Sequence, residues 1–102
     1  MNKLSSSKRS YLRKQAHHLE PSVLIGKNGI LDGTIELVDK ALTARELIKI
    51  KFHEYKDEKQ FLSNQIAAST NAHIVGLIGN IAILFRQNHE SEIQLIKFPT
   101  KH

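Results

Sequence analysis

The stretch Val-Leu-Ile-Gly-Lys-Asn-Gly-Ile-Leu, residues 23–31, decides how the chain is read. Val23-Leu24-Ile25 is an apolar run of strand length, and Gly26 ends it. After Gly29 the period changes. Leu31, Ile35, Val38 and Leu42 recur at helical spacing, with Thr34 and Ala41 beside them. Asp32 falls in the first turn, where the helix dipole favours an anion. This helix is expected to reach about Ala44. Gly26-Lys27-Asn28-Gly29 therefore links a buried strand to an amphipathic helix. It is either a tight turn whose glycines relieve backbone strain or a loop that lets the main chain approach a phosphate.

Upstream, from Ser5 to Glu20, Leu12, Ala16 and Leu19 share one side of a helical wheel, and Arg9, Arg13, Lys14 and His17 share the other. Pro21 disfavours helix through Glu20. Downstream, Glu46 to His53 alternates as a strand does. Ile48, Ile50 and Phe52 face a core, while Lys49, Lys51 and His53 form a basic face. Asp57 to Asn71 is helical, its stripe made of Leu62, Ile66 and Ser69 with Phe61, Gln65 and Ala68. Asn71 is suited to a left-handed cap. His73 to Ile78 and Ile81 to Arg86 are β-prone runs joined by Gly79-Asn80, the pattern of a two-residue hairpin with glycine supplying positive φ. Glu92 to Phe98 is a candidate edge strand. The order is helix, strand, helix, strand, helix, strand, strand. It predicts an α+β fold with α/β-like order, in which a mixed four-stranded sheet packs with helices.

Composition narrows the function classes. A chain of 102 residues with 40% hydrophobic and 25% charged residues suits a single globular domain, residues 1–102, with a basic helix at 1–20 and a tail at 89–102. Cysteine is absent, so disulfides and thiolate chemistry are excluded, and a reducing, cytoplasmic setting fits. No apolar stretch is long enough to span a membrane as a helix. The net charge is +5. Lys3, Lys8, Arg9, Arg13 and Lys14 all precede the first acid, Glu20, and together match that excess. A basic, acid-free N-terminus suits a polyanionic partner, although a mitochondrial presequence has a similar composition.

Glycines three apart are common, and the chain holds a second such pair, Gly76 and Gly79, with an apolar middle inside the expected hairpin. That copy reads as structural. The first differs in its setting between strand and helix, and in its Lys-Asn middle. Glycine-x-x-glycine loops clamp single-stranded RNA backbones in KH domains, a parallel of loop physics rather than of fold. Further candidate RNA contacts are Arg9, Arg13 and Lys14, which could equally be the solvated side of a packed helix. Lys49 and Lys51 could equally protect an exposed strand from unwanted pairing. The histidines lack metal-ligand spacing, and Asp32, Glu36 and Asp39 read as a solvated acidic face. No nucleophile–base set and no full P-loop pattern is present, so neither an enzyme nor a cofactor is expected.

Val23-Leu24-Ile25 with Gly26-Lys27-Asn28-Gly29, the helix to Ala41-Leu42, Glu46 to Lys51, and Gly79 followed by Ile83-Leu84-Phe85-Arg86 occur in an order that resembles the YhbY family of CRM-domain RNA-binding proteins. The likeness spans roughly Ser5 to Asn88. It implies a fold similar to the C-terminal domain of translation initiation factor 3. It also implies association with precursors of the large ribosomal subunit, with relatives in plant organelles that serve splicing. RNA contacts would fall on Gly26, Lys27, Asn28 and Gly29. Arg86 matches the basic residue closing the last strand motif, and Phe85 stands where tyrosine is common. The expectation is a non-enzymatic, monomeric protein bound to ribosomal RNA, with ribosomal proteins as possible neighbours. The alternative is a protein-interaction module drawn to ribosomes through acidic protein partners.

Overall fold

The computed structural model describes residues 4–88. Ser5 opens the first helix, α1 (Ser6–Ala16), by accepting the Lys8 N–H on its hydroxyl at 3.2 Å. The helix stops at Ala16, short of the expected Glu20. The Leu19 N–H bonds back to the Ala16 carbonyl, a tight turn that swings Leu19 onto the sheet. The chain then forms β1 (Val23–Ile25), α2 (Asp32–Arg45) and β2 (Leu47–Phe52). A 3-10 turn (Lys56–Glu58) leads into α3 (Lys59–Thr70), followed by the hairpin β3 (His73–Ile78) and β4 (Ile81–Phe85).

The sheet order is β1-β2-β4-β3. β1 and β2 are parallel through the α2 crossover, whereas β4 runs antiparallel to both of its neighbours. The sheet is therefore mixed and four-stranded, as the element order predicts, with β4 inserted between β2 and β3. Gly79 takes φ +58° at the hairpin tip, as a glycine in the first position of a two-residue turn does. Asn71 ends α3 at φ 57°, ψ 40°, the left-handed cap expected there.

Strand alternation sorts the side chains into two cores, one on each face. Val23, Ile25, Ile48, Ile50, Phe52, Ala82 and Leu84 meet Val38 and Leu42 of α2 and Ile66 and Ala67 of α3. On the opposite face, Leu47, Val75, Ile83 and Phe85 meet Leu12 and Ala16 of α1. The expected basic face of β2 is thus partly covered by a helix. The α3 stripe also differs from the sequence reading. Phe61 is 67% exposed, and Gln65, Ala68 and Ser69 lie on the surface. The sheet is met instead by Ile66, Ala67 and the small polar residues Ser63 and Thr70. Thr70 can be buried because its hydroxyl donates to the Ile66 carbonyl at 2.8 Å.

At one end of the sheet the chain is tied down by polar contacts. Glu46 follows α2 at φ 66° with its side chain fully buried, and its carboxylate accepts the Asn88 N–H at 2.7 Å. The GKNG loop sits at the opposite end, beyond the last residue of β1.

Candidate nucleic-acid interface

The loop begins where the Ile25 carbonyl accepts both the His53 and the Glu54 N–H, which fixes the end of β1 against the end of β2. The Gly29 N–H then donates to the Gly26 carbonyl at 3.0 Å, closing a four-residue turn. Lys27 and Asn28 keep negative φ, and Gly29 takes φ +67°. Tyr55 buttresses the turn from outside. Its hydroxyl donates to the Lys27 carbonyl at 2.7 Å, and its ring would lie 3.5 Å from a Cβ placed on Gly29.

The two glycines therefore have different reasons to be there. Gly29 is required by its left-handed backbone. Gly26 is exposed, lies outside the left-handed region, and would meet nothing within 4 Å if it carried a Cβ. The fold of this chain gives no reason for glycine at position 26. Relief of strain accounts for one glycine of the pair and leaves the other open to close approach from outside.

The surroundings of the loop limit where an anion could sit. The depression beside Tyr55 is lined by Lys27, His53 and Lys56 but also by Glu54, Asp57 and Glu58, so its charge is mixed. Two residues, Ile30 and Leu31, separate the turn from α2. The Thr34 hydroxyl already accepts the Leu31 N–H at 3.1 Å, and Asp32 occupies the first turn. Part of the stabilisation that the helix start could give an external anion is thus already met within the chain.

The cations expected from the sequence divide into two groups. Arg9 donates to the Ile74 carbonyl at 2.6 Å and Arg13 to the Val75 carbonyl at 3.1 Å, so both cover the outer strand β3 rather than facing away from the sheet. Ile74 and Gly76 flank a bulge in β3, and the Arg13 stem lies 3.1 Å from where a Gly76 Cβ would be, so this glycine copy has a packing role. Lys49 donates to the Leu19 carbonyl at 3.1 Å, holding the chain between α1 and β1. Arg86 donates to the Thr70 and Asp39 carbonyls and the Thr43 hydroxyl, and pairs with the Asp39 carboxylate at 2.6 Å. That guanidinium ties β4 to α2 and α3, and it adds a partner to an Asp39 that remains on the exposed side expected for it. Lys14 and Lys27 are exposed and Lys51 is half-buried, and among the described residues these three ammonium groups have no partner.

Tyr55 and Lys56 were not legible as part of the site. Tyr55 sits in the left-handed region at φ 59°, a position more often taken by glycine or asparagine, and it touches the loop across 28 residues of sequence. Its one local signal is an aromatic ring inside an otherwise charged connection, His53 to Lys59. The expected strand Glu92 to Phe98 lies outside the described residues.

Comparison with known proteins agrees with this architecture. The chain is 38% identical over 96 residues to an RNA-binding protein of Haemophilus influenzae, covering 93% of this chain and 97% of that one. It is 31% identical over 90 residues to "Probable RNA-binding protein YqeI" of Bacillus subtilis, covering 87% and 94%. The solution structure of hypothetical protein SAV1595 from Staphylococcus aureus superposes with a TM-score of 0.78 at 32% identity, covering 95% of this chain and all of that one. Residues 4–86 match the CRS1 / YhbY (CRM) domain, and the chain belongs to that family.

Proposed function

We propose that this chain is a non-enzymatic RNA-binding protein that associates with ribosomal RNA of the large-subunit precursor and assists its assembly. The Gly26–Gly29 loop seats a phosphate run. One observation carries the reading: Gly26 has neither a conformational nor a packing reason to be glycine, yet it lies at the end of a strand beside a lysine that has no partner among the described residues. A bare backbone there lets a sugar-phosphate chain come within hydrogen-bonding distance of the main-chain N–H groups. Lys27 supplies charge at the loop, and Lys51 and Lys14 extend it. Arg9 and Arg13 contribute through the donors left over from their bonds to β3, since a guanidinium carries five. Arg86 and Lys49 act mainly by holding the surface in shape. The RNA-binding relatives support the partner class, and the family resemblance supports the choice of ribosomal RNA.

Neutralising phosphates releases counterions, so affinity falls as salt rises. Lys27→Ala is expected to make the slope of log affinity against log salt shallower by about 0.7 for a single strand. Crosslinking in cells followed by sequencing of the attached RNA tests the partner. Large-subunit precursor RNA crosslinked through the peptide containing Lys27 is the expected result. Crosslinks to proteins alone would replace this reading with that of a protein-interaction module.

A further inference from the structure

The strand register sets four side chains in one row across the sheet. Leu24 of β1 lies beside Lys51 of β2, Lys51 beside Ile81 of β4, and Ile81 beside Ile78 of β3. All four point away from α2 and α3. Leu24, Lys51 and Ile81 are each next in sequence to residues of the core on that side, and Ile78 follows Leu77, which packs against it. The α1 helix covers the neighbouring rows on this face: Leu47 and Phe85 lie beneath it, Lys49 is tied to Leu19, and Gly76 lies under Arg13. In this row Ile81 packs against the same core under α1, and the two ends are left open. Leu24 is 56% exposed and Ile78 is 59% exposed, with Lys51 and Ile81 half-buried between them.

An outward-facing leucine on an edge strand, in line with an outward-facing isoleucine on the opposite edge, is a liability unless something covers them. The row begins two residues before Gly26. It contains one cation and no acid, in contrast to the mixed-charge depression on the Tyr55 side of the loop. It spans about 14 Å at ordinary strand spacing. That is room for about two or three bases, the number that the RRM sheet holds on its aromatic side chains, whose place is taken here by aliphatic ones. A second copy of the chain fits less well, because stable protein interfaces use roughly 20–30 residues a side.

We infer that this row is a contact surface for unpaired bases, and that the preferred ligand is single-stranded RNA whose backbone turns at the GKNG loop and whose bases lie across Leu24, Ile81 and Ile78. The inference rests on the loop reading above and adds the strandedness of the ligand. Lys51 sits within the row, where it can meet a phosphate or a base edge. Apolar contact with base faces is tolerant of sequence, so the row favours unpaired RNA without dictating which bases. A duplex, with its bases stacked inside, offers the row nothing.

The test uses the full chain with a fluorescein-labelled 12-nucleotide uridine RNA, alone or annealed to its adenosine complement. The double variant Leu24→Thr/Ile78→Thr places strand-compatible, β-branched threonine at two positions that are more than half exposed. It is expected to bind the single strand about tenfold more weakly, with an unchanged salt slope, because apolar contacts and not phosphate contacts are lost. Ile78→Phe, which adds a ring for stacking, is expected to bind about fivefold more tightly. The wild type is expected to prefer the single strand to the duplex. Unchanged affinity in both variants, with Lys27→Ala still reducing the salt slope, would overturn the row and leave the loop intact. A wild type that binds neither RNA would overturn both readings. Sedimentation showing a wild-type dimer and a monomeric double variant would make the row a contact between copies and overturn its role in binding bases.

Discussion

Replacing each loop glycine by alanine separates backbone need from ligand need, because the two positions carry opposite signs. At Gly29 the φ of +67° places a Cβ in the left-handed region, at a cost of about 1–2 kcal/mol. The nearest atom, on the Tyr55 ring at 3.5 Å, is at ordinary contact distance and adds little to that cost. At about 4–8 °C per kcal/mol for a domain of this size, Gly29→Ala should lower Tm by on the order of 5–15 °C. At Gly26 the Cβ meets nothing within 4 Å and φ lies outside the left-handed region. Gly26→Ala should therefore stabilise by about 0.4–1 kcal/mol, through lost freedom of the unfolded chain. RNA binding should move the other way. A methyl group that holds a phosphate off the main-chain N–H groups removes a charge-assisted hydrogen bond of about 1.5–3 kcal/mol, or roughly tenfold or more in Kd. Thermal melting by circular dichroism and anisotropy titration with a labelled single-stranded RNA read the two effects on the same protein. A Gly26→Ala variant that melts higher and binds as well as the wild type would refute the close-approach argument.

Three further outcomes follow from individual contacts. Arg86→Ala removes hydrogen bonds to Asp39, Thr43 and Thr70 and leaves the Thr70 carbonyl short of a donor, so Tm should fall by on the order of 10 °C. A melt unchanged from wild type with a shallower salt slope would make Arg86 an RNA contact instead. Tyr55→Phe deletes only the hydroxyl bonded to the Lys27 carbonyl and should cost about 0.5–1 kcal/mol or less at this exposed site, with faster hydrogen exchange at the Gly29 amide. Burial, and then the nearby Arg9 charge, hold the His73 pKa below its ordinary 6.5. The unfolded chain therefore binds the extra proton first on acidification. The stability linked to His73 is fully present above pH 6.5 and is lost as pH falls through the lowered pKa, so His73→Asn should flatten the dependence of Tm on pH in that window.

Much of the fold could be read because local signals agreed with one another. The β1 run, the α2 stripe, the alternation of β2 and the Gly79 hairpin each carry their own period or turn residue. What could not be read was set by partners distant in sequence. Nothing local says that β4 inserts between β2 and β3, or that Phe61 gives way to Ser63, which is small enough to lie under the sheet. The Glu46 conformation at φ 66° is likewise held by its contacts with Leu42, Arg86 and Asn88. At the candidate site, sequence located the loop and its cations but could not tell cations that bond carbonyls of the fold from those left open. Arg9 and Arg13 lie on the polar side of a helical wheel, yet a long side chain can curl around a helix to reach a sheet edge. Lys27 and Lys51 stay open because the loop and the outer end of the sheet offer them no acceptor among the described residues.

The most direct test of the central claim is an amide chemical-shift titration of isotope-labelled protein with a single-stranded 12-nucleotide RNA. The largest shifts are expected at Gly26, Lys27 and Asn28, with a second set at Leu24, Lys51 and Ile78, both diminishing as salt is raised. Shifts confined to α3 around the exposed Phe61, with the loop amides unmoved at saturation, would contradict it.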